Sequence, residues 1–342
     1  MTTAARDVVR AAPLPAFACP RCHGTLDRTS DAYRCTPCAA MYPVVLGIPD
    51  FRVFPDPWID FDEDRDKARR LSALVEDRSF EDAVRAYWDI TPATPRPQAE
   101  KFIAHVLGAE RRSGEWLDSL DSLEALPQPG CWLDIGCGTA DLIAAGIRRG
   151  ITVVGVDIAL RWLVVARRRD VLAGRAAQLV CANGEHLPFA PGAFARVVSL
   201  GTLEHCNDAD GVVSEARRVL VTGGELRVCI VNRYSVLREP HVGVWGVGFV
   251  PRRWADRYVR WRNGQRYLHH RPLSVRETAR GFRRAGFRGV RVRAAALLAS
   301  DRSRLGGAAW AAPLYERLRA APFTGSLIRW IAPLLDARGV AA

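Results

Sequence analysis

The stretch Cys131-Trp132-Leu133-Asp134-Ile135-Gly136-Cys137-Gly138-Thr139-Ala140-Asp141 constrains this chain more than any other. A short apolar run enters a glycine turn and leaves it as a helix over residues 142–149. Glycine reaches backbone angles that a side chain forbids, and it lets a ligand lie against the main chain. The helix start beyond presents free N–H groups and a partial positive charge. That is the geometry of a nucleotide-type site, although a strand, turn and helix in any α/β protein would share it. A second apolar run, residues 151–157, ends on Asp157, about 20 positions further on. An acid there is placed to accept hydrogen bonds from ribose hydroxyls.

Further pieces follow in a fixed order. Asn183-Gly184-Glu185-His186-Leu187-Pro188-Phe189 precedes a strand at 196–200 that is tipped by Gly201-Thr202-Leu203-Glu204-His205. A helix at 209–220 then leads through Thr222-Gly223-Gly224 to a strand at 226–231. From LDIGCGTAD to ARRVLVTGGELRV, these motifs resemble the class I S-adenosylmethionine-dependent methyltransferases, in the style of the ubiquinone- and menaquinone-biosynthesis type (methyltransferase type 11). The resemblance covers roughly residues 131–231. It implies an α/β, Rossmann-like sheet with helices on both faces, and S-adenosylmethionine as cofactor. It also implies cofactor contacts from Asp134, Gly136, Cys137, Gly138, Asp157, Ile158, Asn183, Gly184, Leu200 and Gly201. A nicotinamide enzyme would share the glycine turn and the acid; the Leu-Asp-Ile-Gly-Cys-Gly form and the Leu-Glu-His tip favour the methyltransferase.

Three positions depart from the family pattern. Ala140 replaces the third glycine and is small enough for close helix packing. Asn183 stands where an Asp is common beside the adenine, and an amide can still reach the ring nitrogens. Phe194-Ala195 stands for Phe-Asp. Asp134 either braces the glycine loop or reaches the methionine end of the cofactor.

Methyl transfer from a sulfonium asks the protein for alignment, exclusion of water and, for some acceptors, proton removal. Few catalytic residues are therefore expected. His205 falls at the carboxyl ends of the strands, where it can serve as general base toward a hydroxyl or simply order its loop. His241 is the most reactive-looking residue of an insertion at 233–271, whose glycines alternate with bulky apolar groups. That alternation predicts a flexible lid, an apolar acceptor pocket or an ordinary packed insertion. The reading is O-methylation of a small-molecule or lipid-like acceptor. An RNA methyltransferase is the alternative, and a cofactor-binding scaffold without turnover is a third class. An Asn-Pro-Pro-Tyr-like tetrad and a Pro-Cys nucleophile are both missing where base methylation would need them, which leaves ring-nitrogen or ribose chemistry open.

Ahead of this domain stand Cys19-Pro-Arg-Cys22 and Cys35-Thr-Pro-Cys38, with twelve residues between the pairs. Two such knuckles can place four thiolates around one tetrahedral Zn²⁺, and a closed four-Cys site offers no catalytic position. The module, residues 16–55, is similar to the small zinc-ribbon activators of tRNA and translation-factor methyltransferases. It reads as a folding clip or as a substrate platform.

Residues 1–15 read as disordered, and 56–128 as a helical cap carrying Tyr87 and Trp88, broken by the proline-rich 91–97. A turn at 127–130 enters the cofactor domain, 129–295, and 296–342 reads as a helical tail. The formal net charge is +12, with only two lysines, Lys67 and Lys101. Residues 251–304 carry 16 arginines against three acids, which suggests an anionic membrane surface, RNA or a phosphate-bearing acceptor, or else a solvated face. No apolar run approaches the ~18 residues of a membrane span. The N-terminal stretch lacks the apolar core of a secretory signal, so a cytoplasmic location is expected. Oligomeric state is not legible.

Overall fold

The structure is a computed structural model describing residues 14–91, 94–120, 130–172, 178–302 and 310–342. The disorder expected at the N-terminus therefore lies outside the described residues except for Leu14 and Pro15. The turn at 127–130 lies outside them except for Gly130, and residues 92–93 of the proline-rich run also lie outside.

The first forty described residues form an antiparallel meander of β1 (Leu26–Arg28), β2 (Ala32–Cys35), β3 (Met41–Val45) and β4 (Ile48–Pro49). The same turn follows each cysteine pair. His23 N–H donates to Cys19 O at 2.8 Å and Ala39 N–H to Cys35 O at 3.0 Å. His23 and Ala39 take φ of 58° and 57°. The module packs on the larger domain: Phe17, Tyr33 and Tyr42 surround the fully buried Phe51, with ring centroids 5.0–5.2 Å from it. Phe51 N–H donates to Cys181 O (2.7 Å), and Ala18 N–H to Pro188 O (3.0 Å).

The cap is helical as expected: α1 (Phe61–Leu74), α2 (Phe80–Asp89), α3 (Arg96–Leu107) and α4 (Ala109–Asp118). Asp60 starts α1 by accepting from the Asp62 and Glu63 N–H groups, with three acids in the first turn facing the positive end of the helix. Tyr87 stacks on Trp162 at 3.9 Å and Trp88 on Phe102 at 5.1 Å, so both cap aromatics are spent on packing.

The main body alternates strand and helix. Its elements are β5 (Trp132–Ile135), α5 (Asp141–Ile147), β6 (Val153–Asp157), α6 (Leu160–Ala166), β7 (Leu179–Cys181), β8 (Phe194–Leu200), α7 (Ala209–Val219) and β9 (Leu220–Val231). After them come α8 (Arg252–Asn263), α9 (Val275–Arg284), β10 (Phe287–Ala294), α10 (Ala299–Arg302), α11 (Ala312–Ala320), α12 (Pro322–Ile328) and β11 (Leu334–Ala341). The seven-stranded sheet has the order β10-β11-β9-β8-β5-β6-β7. β5 through β9 pair in parallel, and β11 is antiparallel to both β9 and β10. The order reverses between β5 and β8, which opens a crevice at their carboxyl ends.

Two expectations change. The tail reads as helices up to Ile328, but residues 334–341 are a central strand, so the sheet domain does not end at 295. The buried face of β11 is Leu335, Ala337, Gly339 and Ala341, too small a set to announce a strand. The insertion at 233–271 is not a loose lid. Val242, Val244 and Val247 pack against Ala255, Val259 and Tyr267 in a separate small core. No described helix is long and apolar enough to cross a membrane.

Candidate active site

The glycine turn is built from strand to helix as its sequence demands. Gly136 and Gly138 have φ of 79° and 49°. A Cβ on Gly136 would sit 2.2 Å from the Thr202 side chain, whereas one on Gly138 would meet nothing within 4 Å. Gly136 is thus required by packing, and Gly138 keeps an open face. Ala140 is also left-handed, at φ 60°, and fully buried. Replacing the third glycine therefore costs backbone conformation rather than helix packing, of order 1–2 kcal/mol.

Asp157 ties this turn down. Its Oδ2 accepts the Gly138 N–H and its Oδ1 the Ala159 N–H, both at 2.8 Å. A carboxylate has about four acceptor positions, so each oxygen keeps one for a ligand hydroxyl. Burial raises the Asp157 carboxyl, against those two hydrogen bonds. Asp134, buried beneath the turn, is raised well above the carboxylate range by burial and then by Asp141 and Asp157. Burial likewise pushes the Cys137 thiol far up, which makes it inert.

Asp134, Gly136, Cys137 and Gly138 lie at the end of β5, Asp157 and Ile158 at β6, Asn183 and Gly184 after β7, and Leu200 and Gly201 at β8. All ten stand at the carboxyl ends of neighbouring strands. Asn183 is busier than expected. Its Oδ1 accepts the Val53 N–H (3.1 Å) and its Nδ2 donates to Phe54 O (3.4 Å). The side chain expected beside the adenine thus fastens the chain leaving the N-terminal module.

A buried ion network reinforces that junction. Arg52, with no side-chain exposure, donates to both oxygens of Asp50 (2.8 and 2.7 Å), to Asp64 (2.8 Å) and to Ile158 O (3.1 Å). Asp64 in turn accepts the Leu160 N–H at 2.8 Å and Arg161 at 2.5 Å. Sequence reading missed it, because Arg52 and Asp64 carry no local pattern.

At the mouth of the crevice the structure brings together both expected catalytic residues and adds a third. His241 and His270 stack at 4.1 Å, and His205 stands across them at 4.8 and 5.0 Å. His205 Nδ1 lies 3.3 Å from His269 O and 3.2 Å from His270 Nδ1. His241 Nδ1 donates to Glu239 Oε1 at 2.6 Å. Burial, helped by the neighbouring imidazoles, lowers His205 to about 4 and His270 to about 3, so both rings are neutral near pH 7. Glu239 and His270 border a cavity of about 590 Å³ that Arg233, Arg252, Arg253 and Arg271 also line. His270 was missed because it reads as the end of a basic run.

The four cysteines of the N-terminal module also converge: Cys19–Cys38 and Cys22–Cys35 sulfurs are 3.7 and 3.4 Å apart, and all four lie within 4.8 Å. Zn–S bonds of about 2.3 Å put sulfurs about 3.8 Å apart, so the donor set fits tetrahedral Zn²⁺.

Residues 133–228 match the family model described as a methyltransferase domain. Over those residues this chain is similar to that domain. The domain has the Rossmann-like methyltransferase fold, with a mixed sheet. The ubiquinone biosynthesis O-methyltransferase of Idiomarina loihiensis is 32% identical over 149 residues, 43% of this chain and 57% of that protein. Its counterpart from Hahella chejuensis is 31% identical over 161 residues, 47% and 62% of the two chains. The chain thus spans less than two thirds of either relative's length. A Thermotoga maritima structure described as an S-adenosylmethionine-dependent methyltransferase, possible histamine N-methyltransferase, covers 71% of this chain and 98% of its own. Its identity is 20% and its TM-score 0.42.

Proposed function

We propose that this protein is an S-adenosylmethionine-dependent methyltransferase acting on a hydroxyl oxygen of a small, anionic or lipid-like acceptor. The observation that carries the reading is the turn over Gly136 and Gly138, braced by Asp157 at the carboxyl ends of the strands, together with a histidine cluster after β8 that borders an arginine-lined cavity. The residues fit the cofactor: Gly138 has an open face, and Asp157 keeps acceptor positions for ribose hydroxyls. When bound, S-adenosylmethionine supplies an activated methyl group on sulfur. The glycine turn and Asp157 hold and orient it. The arginines draw in an anionic acceptor, and the His205–His241–His270 cluster is where the acceptor's oxygen is seated and gives up its proton, to an unprotonated ring nitrogen or to water. Two relatives named as O-methyltransferases agree with an oxygen acceptor.

Zn²⁺ belongs at Cys19, Cys22, Cys35 and Cys38 under this reading, as a clip that holds the module against the sheet. The exposed face of α8, with Trp254 and Trp261 at 54% and 75% exposure among Arg253, Arg257, Arg260 and Arg262, suits contact with an anionic lipid surface. Calorimetric titration with S-adenosylmethionine tests the core of the reading. Micromolar binding that Asp157→Ala abolishes or greatly weakens is expected; absence of binding by the wild type overturns it. Acceptor screening should then run hydroxylated lipids beside RNA, and turnover on RNA alone would remove the lipid-like acceptor.

A further inference from the structure

Three histidines meet at the end of β8 from three separate parts of the chain. His205 follows β8, His241 lies in the loop after β9, and His270 follows α8. Each offers a ring nitrogen, and these nitrogens all lie within 4.8 Å of one another. Two imidazole nitrogens only 3.2 Å apart, as Nδ1 of His205 and His270 are, share either a proton or a metal ion. Zn–N bonds of about 2.0–2.1 Å give a ligand tetrahedron an edge of about 3.3 Å, so one edge of such a site is already in place. The other two separations lie within 4.8 Å, and His241 and His270 both sit on loops.

His241 adds a second, independent sign. Its Nδ1–H is committed to Glu239 Oε1, which leaves Nε2 as its free donor atom. Glu239 is itself fixed, since its Oε2 accepts the N–H groups of His241 and Val242 at 2.9 and 3.0 Å. A carboxylate that sets the tautomer and the direction of an imidazole is the usual outer partner of a metal-bound histidine. The cluster also opens on one side, because Glu239 and His270 border the cavity.

We propose that His205, His241 and His270 bind a divalent metal ion of the zinc type, oriented by Glu239, with a fourth position open to an oxygen donor from the cavity. Three imidazoles with one open position make a Lewis-acid site, whereas the closed four-cysteine site is structural. An acceptor hydroxyl bound there would release its proton to water more readily, and none of the three imidazoles would need to act as a base. That role toward the acceptor rests on the methyl-transfer reading; the metal site does not.

The test uses the full chain, stripped of metal and titrated with Zn²⁺ and, separately, Co²⁺, with bound metal quantified. Wild type is expected to take up two ions per chain, one showing thiolate-to-cobalt charge transfer and one showing only nitrogen and oxygen ligation. His241→Ala and His270→Ala should each lose the second ion and keep the first, while His269→Ala, whose ring lies outside the cluster, keeps both. Glu239→Gln should retain the second ion with about 10–100-fold weaker affinity, which a merely structural carboxylate would not do. The retained thiolate-bound ion, and a thermal midpoint equal to that of wild type when both proteins are metal-free, show that the variants are folded. Wild-type protein with thiolate ligation alone, or two ions persisting in both histidine variants, overturns the site. Binding of S-adenosylmethionine should be unchanged in every variant. Its absence from the wild type would defeat the methyl-transfer reading and leave the metal site standing.

Discussion

Arg52→Ala probes the junction on which both halves of the molecule depend. Arg52 is fully buried and forms close ion pairs with Asp50 and Asp64, while its guanidinium covers the Phe61 ring at 4.4 Å. Removing one partner of a buried pair costs about 3–5 kcal/mol, because the charge left behind has lost its compensation. Neither carboxylate is wholly orphaned here. Asp50 keeps Arg65 Nε at 2.8 Å, and Asp64 keeps Arg161 and the Leu160 N–H. The loss is therefore placed at the lower end, about 3 kcal/mol. At about 2–4 °C per kcal/mol, the thermal midpoint should fall by roughly 6–12 °C. Affinity for S-adenosylmethionine should fall with it, since Ile158 and Leu160, held by this network, flank the loop after Asp157. Thermal unfolding by circular dichroism, with calorimetric titration beside it, reads both. A midpoint within about 2 °C of wild type would limit the loss to about 1 kcal/mol or less and refute the reasoning.

Lys67 is lowered to about 8 by burial and then by Arg161 and Arg70. Between pH 8 and 10.5 the unfolded chain holds the proton that the folded chain releases, so stability should rise with pH across that window, and the cost is full below it. Lys67→Met should flatten this arm in denaturant titrations; an unchanged slope would count against it. Gly138→Ala should fold with a loss of about 1–2 kcal/mol yet fail to bind S-adenosylmethionine, whereas Gly136→Ala, whose Cβ would strike Thr202, should lose folded protein outright. Fluorescence-monitored unfolding beside a binding titration separates the two. Stripping metal from Cys19, Cys22, Cys35 and Cys38 should expose residues 16–55 to protease while the main sheet stays protected, and equal cleavage with and without metal would sink the clip.

The sequence was readable where structure is local. The glycine turn, Asp157 and the order of strands from β5 to β9 each follow from a short pattern of apolar runs and breakers. The cysteine pairs are legible because ligand spacing is itself a local signal. The rest depends on partners far along the chain. His270 gains its meaning only when the turn after α8 returns to His205. Asn183 reads as a cofactor contact, and its added hydrogen bonds to Val53 and Phe54, some 130 positions away, leave no local signal. Arg52 and Asp64 look like surface charges in a polar stretch, and only the packing of α1 under the N-terminal module hides them. β11 escaped because alanine and glycine do its burying.

The placement of β11 also governs the order in which the sheet can assemble. β9 pairs with β8 on one side and, on the other, only with a strand whose Leu334 meets Val231. All of α8 to α12 is synthesised before that partner exists, and among the described residues β10 has no strand to pair with until then. In the interval, the twelve-residue β9 presents an open hydrogen-bonding edge flanked by the apolar side chains of Leu226, Val228 and Ile230. Such an edge invites pairing between chains. Closure waits on a contact of high sequence separation, which makes folding slow. Misassembly during production is therefore to be sought at β9, and a soluble peptide copying residues 334–341, added during refolding, would compete for that edge.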